Sequence, residues 1–359
     1  MRSLYTREQI LDEAIKRIEA GNLQDAINYL KKALLLDQNS IELMHFLGLT
    51  LANLSEFDEA REIFLKVISI DANIAEAHYN LGRIEEILGN TAKALIFYQK
   101  AIGIAPNFLE ALSSLGVLLN GCHRYSEALV LHKRVIELNP NIPDGWAHAG
   151  MSCAGLLNYI HALSFINKAL EIDPDFPFLL GYQLHLKMRI CDWDNFSFLS
   201  KKLVGEVLSK KKVSEPFAFL TLSDSVEAQK ICAEVWSNFK FPEAKAPAYK
   251  FPKKTKAKLR IGYFSPDFRE HAVSFLAAEL FELHNRDQFE IIAFSLLNVE
   301  LDGMRKRLIA GFDKFIDVEG LSDREIAALA REMEVDIAVD LGGFTQNCRP
   351  EIFSYRAAP

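Results

Sequence analysis

Near the carboxyl end of the chain, a short segment places a histidine where it could do chemistry. The segment SPDFREHAVSF, residues 265–275, follows an apolar run and opens a helical pattern, and His271 lies where that pattern starts. An imidazole in this place can donate a hydrogen bond into a cleft or act as a general base. The first amides of a helix can also bind an anion. A cap or surface residue is the alternative role for His271.

A second segment, DLGGFTQNCRPEIF over residues 340–353, combines adaptable backbone with polar side chains. Gly342 and Gly343 permit close approach of the backbone to a ligand, and Thr345 and Arg349 add polar side chains beside them. Asp340 falls at the end of a predicted strand, either in the same cleft or as a structural cap. We expect this segment to line a binding cleft together with His271.

The chain from residue 259 onward supplies the elements that would position both segments. Short β-rich runs alternate there with helical ones, which predicts parallel βαβ units in a doubly wound sheet. The last predicted helix opens with Ser322 as a cap and Glu325 three residues later. The predicted strands are 259–264, 289–296, 314–318 and 336–342, and the predicted helices lie near 273–285, 302–311 and 322–333.

Ligands of doubly wound sheets bind outside the carboxyl ends of the strands. Here those ends are followed by the loops 265–271, 296–300, 318–321 and 341–349. Nucleotide-binding sheets of this type usually have about five or six strands, whereas four are predicted here. We therefore expect the sheet to be only part of a larger domain.

The first half of the chain repeats itself every 34 residues, most clearly in its glycines and alanines. Small residues at a fixed period are expected where two helices of each unit approach closely. This is the tetratricopeptide repeat (TPR) pattern, with units at 7–40, 41–74, 75–108, 109–142 and 143–176 and a degenerate sixth from Pro177. The recurring residues are Gly48, Gly82, Gly116 and Gly150, then Ala26, Ala60, Ala94, Ala128 and Ala162.

A stack of such units presents a groove that can bind an extended peptide or a partner helix. A spacer or a dimerisation surface is the alternative, because the fold itself is general. His78 and His148 are interpreted as packed or groove-lining residues and not as metal ligands, since no partner ligand follows at i+3 or i+4.

The predicted fold is therefore α + α/β, a right-handed TPR solenoid followed by a partial Rossmann-like domain. The boundaries are 1–176 for the repeats, 177–239 for a degenerate helical cap, 240–258 for a linker and 259–359 for the α/β domain. The linker carries Pro242, Pro247 and Pro252 among lysines.

The amino-acid composition argues against several classes of partner and cellular location. The 359 residues include 41 Lys and Arg against 48 Asp and Glu, a net charge of −7, which disfavours duplex nucleic acid as a partner. The five cysteines form no close pair, which fits a reducing compartment. No signal-peptide core and no apolar run long enough to span a bilayer is recognised. We expect a soluble, cytoplasmic protein.

The order of the motifs resembles a known family. TPR units, the CDW segment at 191–193, the S-x-D-F-x-x-H loop and the G-[aromatic]-T-x-x-x-R-x-E-x-F block follow one another as in TPR-containing O-linked N-acetylglucosamine (O-GlcNAc) transferases, bacterial relatives in particular. The resemblance implies a pair of Rossmann-like domains in the GT-B arrangement with the active site between them. It also implies inverting transfer of GlcNAc from UDP-GlcNAc to Ser or Thr of proteins, without metal or other cofactor.

The resemblance also implies roles for single residues. His271 would take part in catalysis or position the reacting groups, and Gly343, Phe344 and Thr345 would line the donor side of the cleft. Relatives commonly have Tyr or His at the position of Phe344. Animal-type repeats carry Asn at the sixth position of each A helix to bind the acceptor backbone, and here only Asn80 matches. The four residues at this position are Phe46, Asn80, Ser114 and His148.

The family's second Rossmann-like domain, with its diphosphate-facing lysine, is absent from these residues, so we expect them not to be a competent transferase on their own. The expected partners are acceptor proteins or peptides in the TPR groove and a UDP-sugar donor. A homo-oligomer formed through the repeats is a further expectation, whereas nucleic acid and membrane are not expected partners. The alternatives are a non-catalytic TPR adaptor and a related transferase that uses another sugar nucleotide.

Overall fold

The computed structural model of the protein describes residues 7–241, 258–345 and 347–359. The chain falls into two compact units that meet between Phe196 and Ser197. Residues 242–257 of the predicted linker lie outside the described residues, as do residues 1–6 of the predicted repeat domain.

The described part of the first unit is built from eleven helices that follow the 34-residue period. Ten of them form the five predicted pairs, and the eleventh begins the degenerate sixth unit. The helices are Arg7–Glu19 (α1), Leu23–Leu36 (α2), Ile41–Asn53 (α3), Phe57–Ile70 (α4), Ala75–Ile87 (α5), Thr91–Ile104 (α6), Leu109–Gly121 (α7), Tyr125–Leu138 (α8), Pro143–Gly155 (α9), Tyr159–Ile172 (α10) and Leu179–Arg189 (α11).

The repeated glycines allow a large buried side chain of the next helix to pack against the A helix. A Cβ at Gly82 would lie 2.6 Å from the ring of Tyr98, closer than real Cβ atoms come to other atoms. The same relationship recurs in each of four units, so the period of the glycines is a packing requirement. The four pairs are Gly48 with Phe64, Gly82 with Tyr98, Gly116 with His132, and Gly150 with Ile166.

The second unit begins with helices that precede the sheet. They are Phe196–Leu208 (α12), which starts at the boundary, Pro216–Phe219 (α13) and Val226–Lys240 (α14). The boundary thus falls inside the segment 177–239 that the sequence predicts as a cap of the solenoid. The physical reason is packing, because Trp236 on α14 contacts Phe344 in the last loop of the sheet, with ring centroids 5.3 Å apart.

Four parallel strands form the sheet, in the order β3-β2-β1-β4. They are Leu259–Ser265 (β1), Phe289–Ser295 (β2), Lys314–Asp317 (β3) and Ile337–Asp340 (β4). The predicted strand 336–342 is shortened, because the amides of Gly342 and Gly343 donate to the Asp340 side chain instead of a neighbouring strand.

Helices cover both faces of this sheet, as a doubly wound fold requires. They are Ala272–Glu282 (α15), Gly303–Gly311 (α16), Asp323–Glu332 (α17) and Glu351–Ser354 (α18). Alternate residues of β1 enter different cores, since Ile261 and Tyr263 pack with α15 and α16 whereas Phe264 packs with α17 and α18. The predicted capping box of Ser322 and Glu325 is confirmed.

Within the described residues, no helix has the length and apolar character needed to cross a bilayer. In the same part of the chain, no group of three or more His, Cys, Asp or Glu side chains is arranged to hold a metal ion.

Candidate functional site

The carboxyl edge of the sheet has a switch point between β1 and β4. From β1 the sheet continues to β2 and β3 on one side and to β4 on the other. Phe264 near the end of β1 is paired with Asp340 at the end of β4, so the loops that follow these strands start side by side. Doubly wound sheets bind their ligands at such a point. The two segments singled out in the sequence are therefore brought to one edge of the sheet.

His271 is the N-cap residue of α15. Its backbone is extended, with φ −149° and ψ 152°, and its Nδ1 accepts a hydrogen bond from the amide of Val273 at 3.3 Å. A neutral imidazole carries one hydrogen, so an accepting Nδ1 leaves that hydrogen on Nε2. In this arrangement His271 caps the helix, which is one of its expected roles, and its Nε2 is a hydrogen-bond donor.

Asp267 offers the same imidazole a second partner. Its Oδ2 lies 3.6 Å from Nδ1 of His271, and its side chain is only 12% exposed. The Asp267 amide donates to the hydroxyl of Ser265 at 3.0 Å, and its carbonyl accepts from the hydroxyl of Ser274. If the hydrogen moved to Nδ1, the imidazole would pair with Asp267 and Nε2 could accept a proton. The tautomer thus decides between a donor and a base.

Asp340 folds the loop after β4 into a tight turn. Its Oδ1 accepts hydrogen bonds from the amides of Gly342 at 3.0 Å and Gly343 at 3.1 Å. Gly343 has a φ of 57°, in the left-handed region that glycine adopts without a steric penalty. Both glycine amides are therefore already bonded, and Asp340 has the cap role that was one of its two expected roles.

Cys348 lies in the loop 341–349, beside Thr345, although the sequence did not nominate it. Its Sγ is 3.0 Å from Oγ1 of Thr345, which also donates to the carbonyl of Gly342 at 2.9 Å. Burial raises the pKa of the Cys348 thiol, the hydrogen bond with Thr345 lowers it, and the charges of Asp340 and Asp267 raise it again. One carboxylate from each loop therefore acts on this thiol.

The ring of Phe344 packs against a tryptophan of α14. Its ring meets that of Trp236 edge-on, at 79°, while 36% of Phe344 stays exposed. Trp236 also contacts Phe241, with centroids 5.5 Å apart. The Trp236 Nε1 is buried and has no hydrogen-bond partner in the part of the chain that the structure describes. The ring at position 344 is thus held by an aromatic cluster from a helix outside the sheet.

Arg349 is bound within the sheet unit. Its guanidinium donates to the carboxylate of Asp323, the first residue of α17, and to the carbonyl of Leu321 at 2.6 Å. Burial raises the pKa of Asp323, and the charge of Arg349 opposes that shift. This pairing attaches the loop to the start of α17, and a contact between Arg349 and a substrate stays a prediction.

Asn80, the predicted acceptor-binding residue, lies on α5 in the other unit. It is 7% exposed, and no hydrogen bond to its side-chain amide is seen among residues 7–241, 258–345 and 347–359. At the same position of another unit, His148 has its pKa lowered by burial. Asn80 is therefore available to bond an external group that reaches it.

Comparison with known proteins finds a separate family model for each of the two units. Residues 190–359 match the model of glycosyl transferase family 41, and residues 11–73 and 47–107 match tetratricopeptide repeat models. The probable UDP-N-acetylglucosamine–peptide N-acetylglucosaminyltransferase SEC of Arabidopsis thaliana is 28% identical over 192 residues, 49% of this chain and 20% of that protein.

The chain is similar to TPR-containing O-GlcNAc transferases.

A second relative is the UDP-N-acetylglucosamine–peptide N-acetylglucosaminyltransferase of Caenorhabditis elegans. It is 27% identical over 185 residues, which are 47% of this chain and 16% of that protein. The chain thus spans a fifth or less of the length of these two curated relatives. Among solved structures, one from the characterisation of Pseudomonas aeruginosa PilF has a TM-score of 0.50 at 18% identity, covering 64% of this chain and 97% of that one. That likeness shows the repeat fold alone.

Three residues at the candidate site of this chain were not predicted from the sequence. Asp267 and Cys348 stand inside the quoted motifs and could have been nominated by their residue types. Trp236 had no such signal, because it lies on a helix whose packing partner is distant in sequence. Contacts of that kind are set by tertiary structure.

Proposed function

We propose that the protein is a glycosyltransferase that moves GlcNAc from UDP-GlcNAc to Ser or Thr hydroxyls of proteins, by an inverting reaction without a metal. The observation that carries the proposal is the switch point, where the loop with His271 and the loop 341–349 begin side by side in a segment that matches glycosyl transferase family 41. The activity by which the two relatives are named supports the choice of donor and acceptor.

In this proposal His271 contributes through Nε2. Inverting transfer breaks the bond between the anomeric carbon and the UDP oxygen while the acceptor oxygen bonds to the opposite face and loses its proton to a base, so negative charge develops on UDP. Because Nδ1 accepts the Val273 amide, Nε2–H is available to donate to an oxygen of the substrate. The other tautomer, paired with Asp267, would serve as a base for the acceptor hydroxyl.

The repeats would hold the acceptor protein. Asn80 is the residue proposed to bond the acceptor backbone, because it matches the asparagine of animal-type repeats and lies on the A helix α5. Phe46, Ser114 and His148 occupy the equivalent positions and would contact side chains of the acceptor. In this proposal the sheet unit binds and activates the sugar donor, and the repeats bind the acceptor protein.

The experiment is a transfer assay with labelled UDP-GlcNAc and acceptor proteins from the source cell, using the protein purified from that source. Wild type is expected to label Ser or Thr, and His271→Ala is expected to slow transfer by about 10²–10⁴ if the imidazole acts as an acid or base. Transfer within about threefold of wild type would remove His271 from the chemistry. Labelling from another UDP-sugar in preference to UDP-GlcNAc would favour the related transferase.

A non-catalytic TPR adaptor is the second candidate, and one observation favours it. The amides of Gly342 and Gly343 and the guanidinium of Arg349 are all bonded within the chain, which leaves fewer groups for a donor. Peptide binding together with no calorimetric response to UDP or UDP-GlcNAc would support the adaptor and contradict the transferase.

A further inference from the structure

The loop that presents His271 is attached to the start of α16 by two hydrogen bonds. The amide of Glu270 donates to Oδ2 of Asp302 at 2.7 Å. One guanidinium nitrogen of Arg305 donates to the carbonyl of Phe268 at 3.1 Å. Glu270 immediately precedes His271, so the first bond fixes the backbone where the imidazole begins.

Asp302 uses its two carboxylate oxygens for different tasks. Oδ1 caps α16 by accepting from the amide of Arg305 at 2.7 Å, while Oδ2 holds the amide of Glu270. These backbone donors lower the pKa of the Asp302 carboxyl, which keeps both oxygens available as acceptors at neutral pH. One side chain thus joins a helix start to the His271 loop.

The first turn of α16 is itself held rigidly at the carboxyl edge of the sheet. Arg305 is buried, and its guanidinium donates to the hydroxyl of Ser295 at 3.2 Å and to the carboxylate of Asp317. The same group lies 5.0 Å from the ring centre of Phe315. The ends of β2 and β3 therefore fix the position of this turn. Through its bond to the Glu270 amide, Asp302 fixes the loop after β1 relative to the same turn.

We propose that Asp302 is a positioning residue for His271, which holds the Glu270 amide so that the His271 imidazole caps α15 with Nδ1 and presents Nε2–H to the cleft. The functional meaning of this position rests on the proposed transferase activity. The structural claim stands on the two carboxylate bonds of Asp302 and on the cap bond between the Val273 amide and Nδ1.

The test separates the two tasks of Asp302. In Asp302→Asn the remaining side-chain oxygen can still cap α16. The NH2 group that replaces the other oxygen cannot accept the hydrogen of the Glu270 amide. Asp302→Ser is the second variant, because serine also caps helices but is too short to reach both amides. Ser322→Ala is the matched control, since it removes a cap from α17 without touching the His271 loop.

The readout is the imidazole ¹⁵N–¹H spectrum of histidine-labelled full-length protein near pH 8, with the His271 signal assigned by its loss in His271→Ala. Wild type is expected to show mainly the Nε2–H tautomer. Both Asp302 variants should shift the signal and raise the fraction of the Nδ1–H tautomer, whereas Ser322→Ala should lower the unfolding temperature and leave the signal in place. A His271 signal unchanged in both Asp302 variants, or moved equally by Ser322→Ala, would overturn the proposal.

A calorimetric titration with UDP-GlcNAc distinguishes this proposal from the proposed function. If wild type binds the donor and Asp302→Asn binds it more weakly, both are supported. If wild type gives no heat while the spectrum responds as expected, the transferase proposal fails and the positioning role is retained. If donor affinity and spectrum are both unchanged by Asp302→Asn, the positioning role fails alone.

Discussion

The imidazole of His132 stacks on that of His148, with ring centroids 5.4 Å apart and planes inclined by 25°. His132 is fully buried opposite Gly116, at the position that Phe64, Tyr98 and Ile166 occupy in other units. Neither ring nitrogen of His132 has a hydrogen-bond partner among the described residues. Burial, with a smaller contribution from His148, lowers the pKa of His132 to about 3, although the neighbouring backbone of Gly116 acts in the opposite direction. A titratable imidazole thus occupies the buried position that apolar or aromatic side chains fill in the other units.

This pair predicts that the repeats lose stability in mild acid. The ordinary pKa of an unfolded histidine is about 6.5, so between that value and about 3 the unfolded chain binds a proton that folded His132 does not. Stability contributed by neutral His132 is therefore complete above about pH 6.5 and falls as pH decreases through this window, by an amount of the order of a few kcal/mol. Urea unfolding at pH 7.5 and 4.5 measures it.

His132→Phe should flatten that pH dependence and stabilise the repeats at neutral pH by about 1–3 kcal/mol, because two unsatisfied nitrogens are removed from the core. The ring should fit, since Phe64 packs against Gly48 in the same way. His161→Gln, which removes an exposed histidine of the same unit stack, is the control variant. An equal slope in wild type and His132→Phe would refute the assignment.

The packing role of the repeated glycines predicts opposite effects of two similar substitutions. Gly82→Ala would place a methyl group 2.6 Å from the Tyr98 ring and should destabilise by about 1–3 kcal/mol through overpacking. Gly103→Ala, in the same unit, meets nothing within 4 Å and should stabilise by up to about 1 kcal/mol through helix propensity. Unfolding in urea should show the two signs, and destabilisation by both would contradict the close-approach explanation.

Two substitutions of Asp340 distinguish a role in stabilising the turn from a role of its negative charge in ligand binding. One oxygen accepts both glycine amides, so Asp340→Asn should keep the turn and change stability by a few tenths of a kcal/mol, whereas Asp340→Ala should cost about 1–2 kcal/mol. Thermal unfolding measures both. Loss of UDP-GlcNAc affinity in Asp340→Asn with unchanged stability would show that the charge itself acts on a ligand.

The contact between Trp236 and Phe344 predicts a spectroscopic change. Phe344→Ala should alter the emission of Trp236 and loosen the loop 341–349, because the ring that packs on the indole is lost. Phe275→Ala removes a ring that is 63% exposed and should leave the emission unchanged. Fluorescence of variants in which Trp146 and Trp193 are replaced by Phe isolates the signal. Emission insensitive to Phe344→Ala would mean that α14 does not support the loop.

Several features could be read directly from the sequence, because they depend on groups close together in the chain. The 34-residue period located five helix pairs, since each unit repeats the same local helices and the same close approach. Alternation of strand and helix patterns located the four strands to within a residue or two. The capping box of Ser322 and Glu325 was also predicted, since its donors and acceptors lie three residues apart. These are hydrogen bonds and side-chain contacts whose partners follow from spacing alone.

Tertiary structure alone decided which polar groups are already satisfied and which elements support the site. The bond from Glu270 to Asp302 joins residues 32 apart, and Arg349 reaches Asp323 across 26. Trp236 meets Phe344 because α14 belongs to the same compact unit as the sheet. No local pattern specifies such partners, because a buried polar or aromatic group can be satisfied by any suitable neighbour that the chain's packing brings near it.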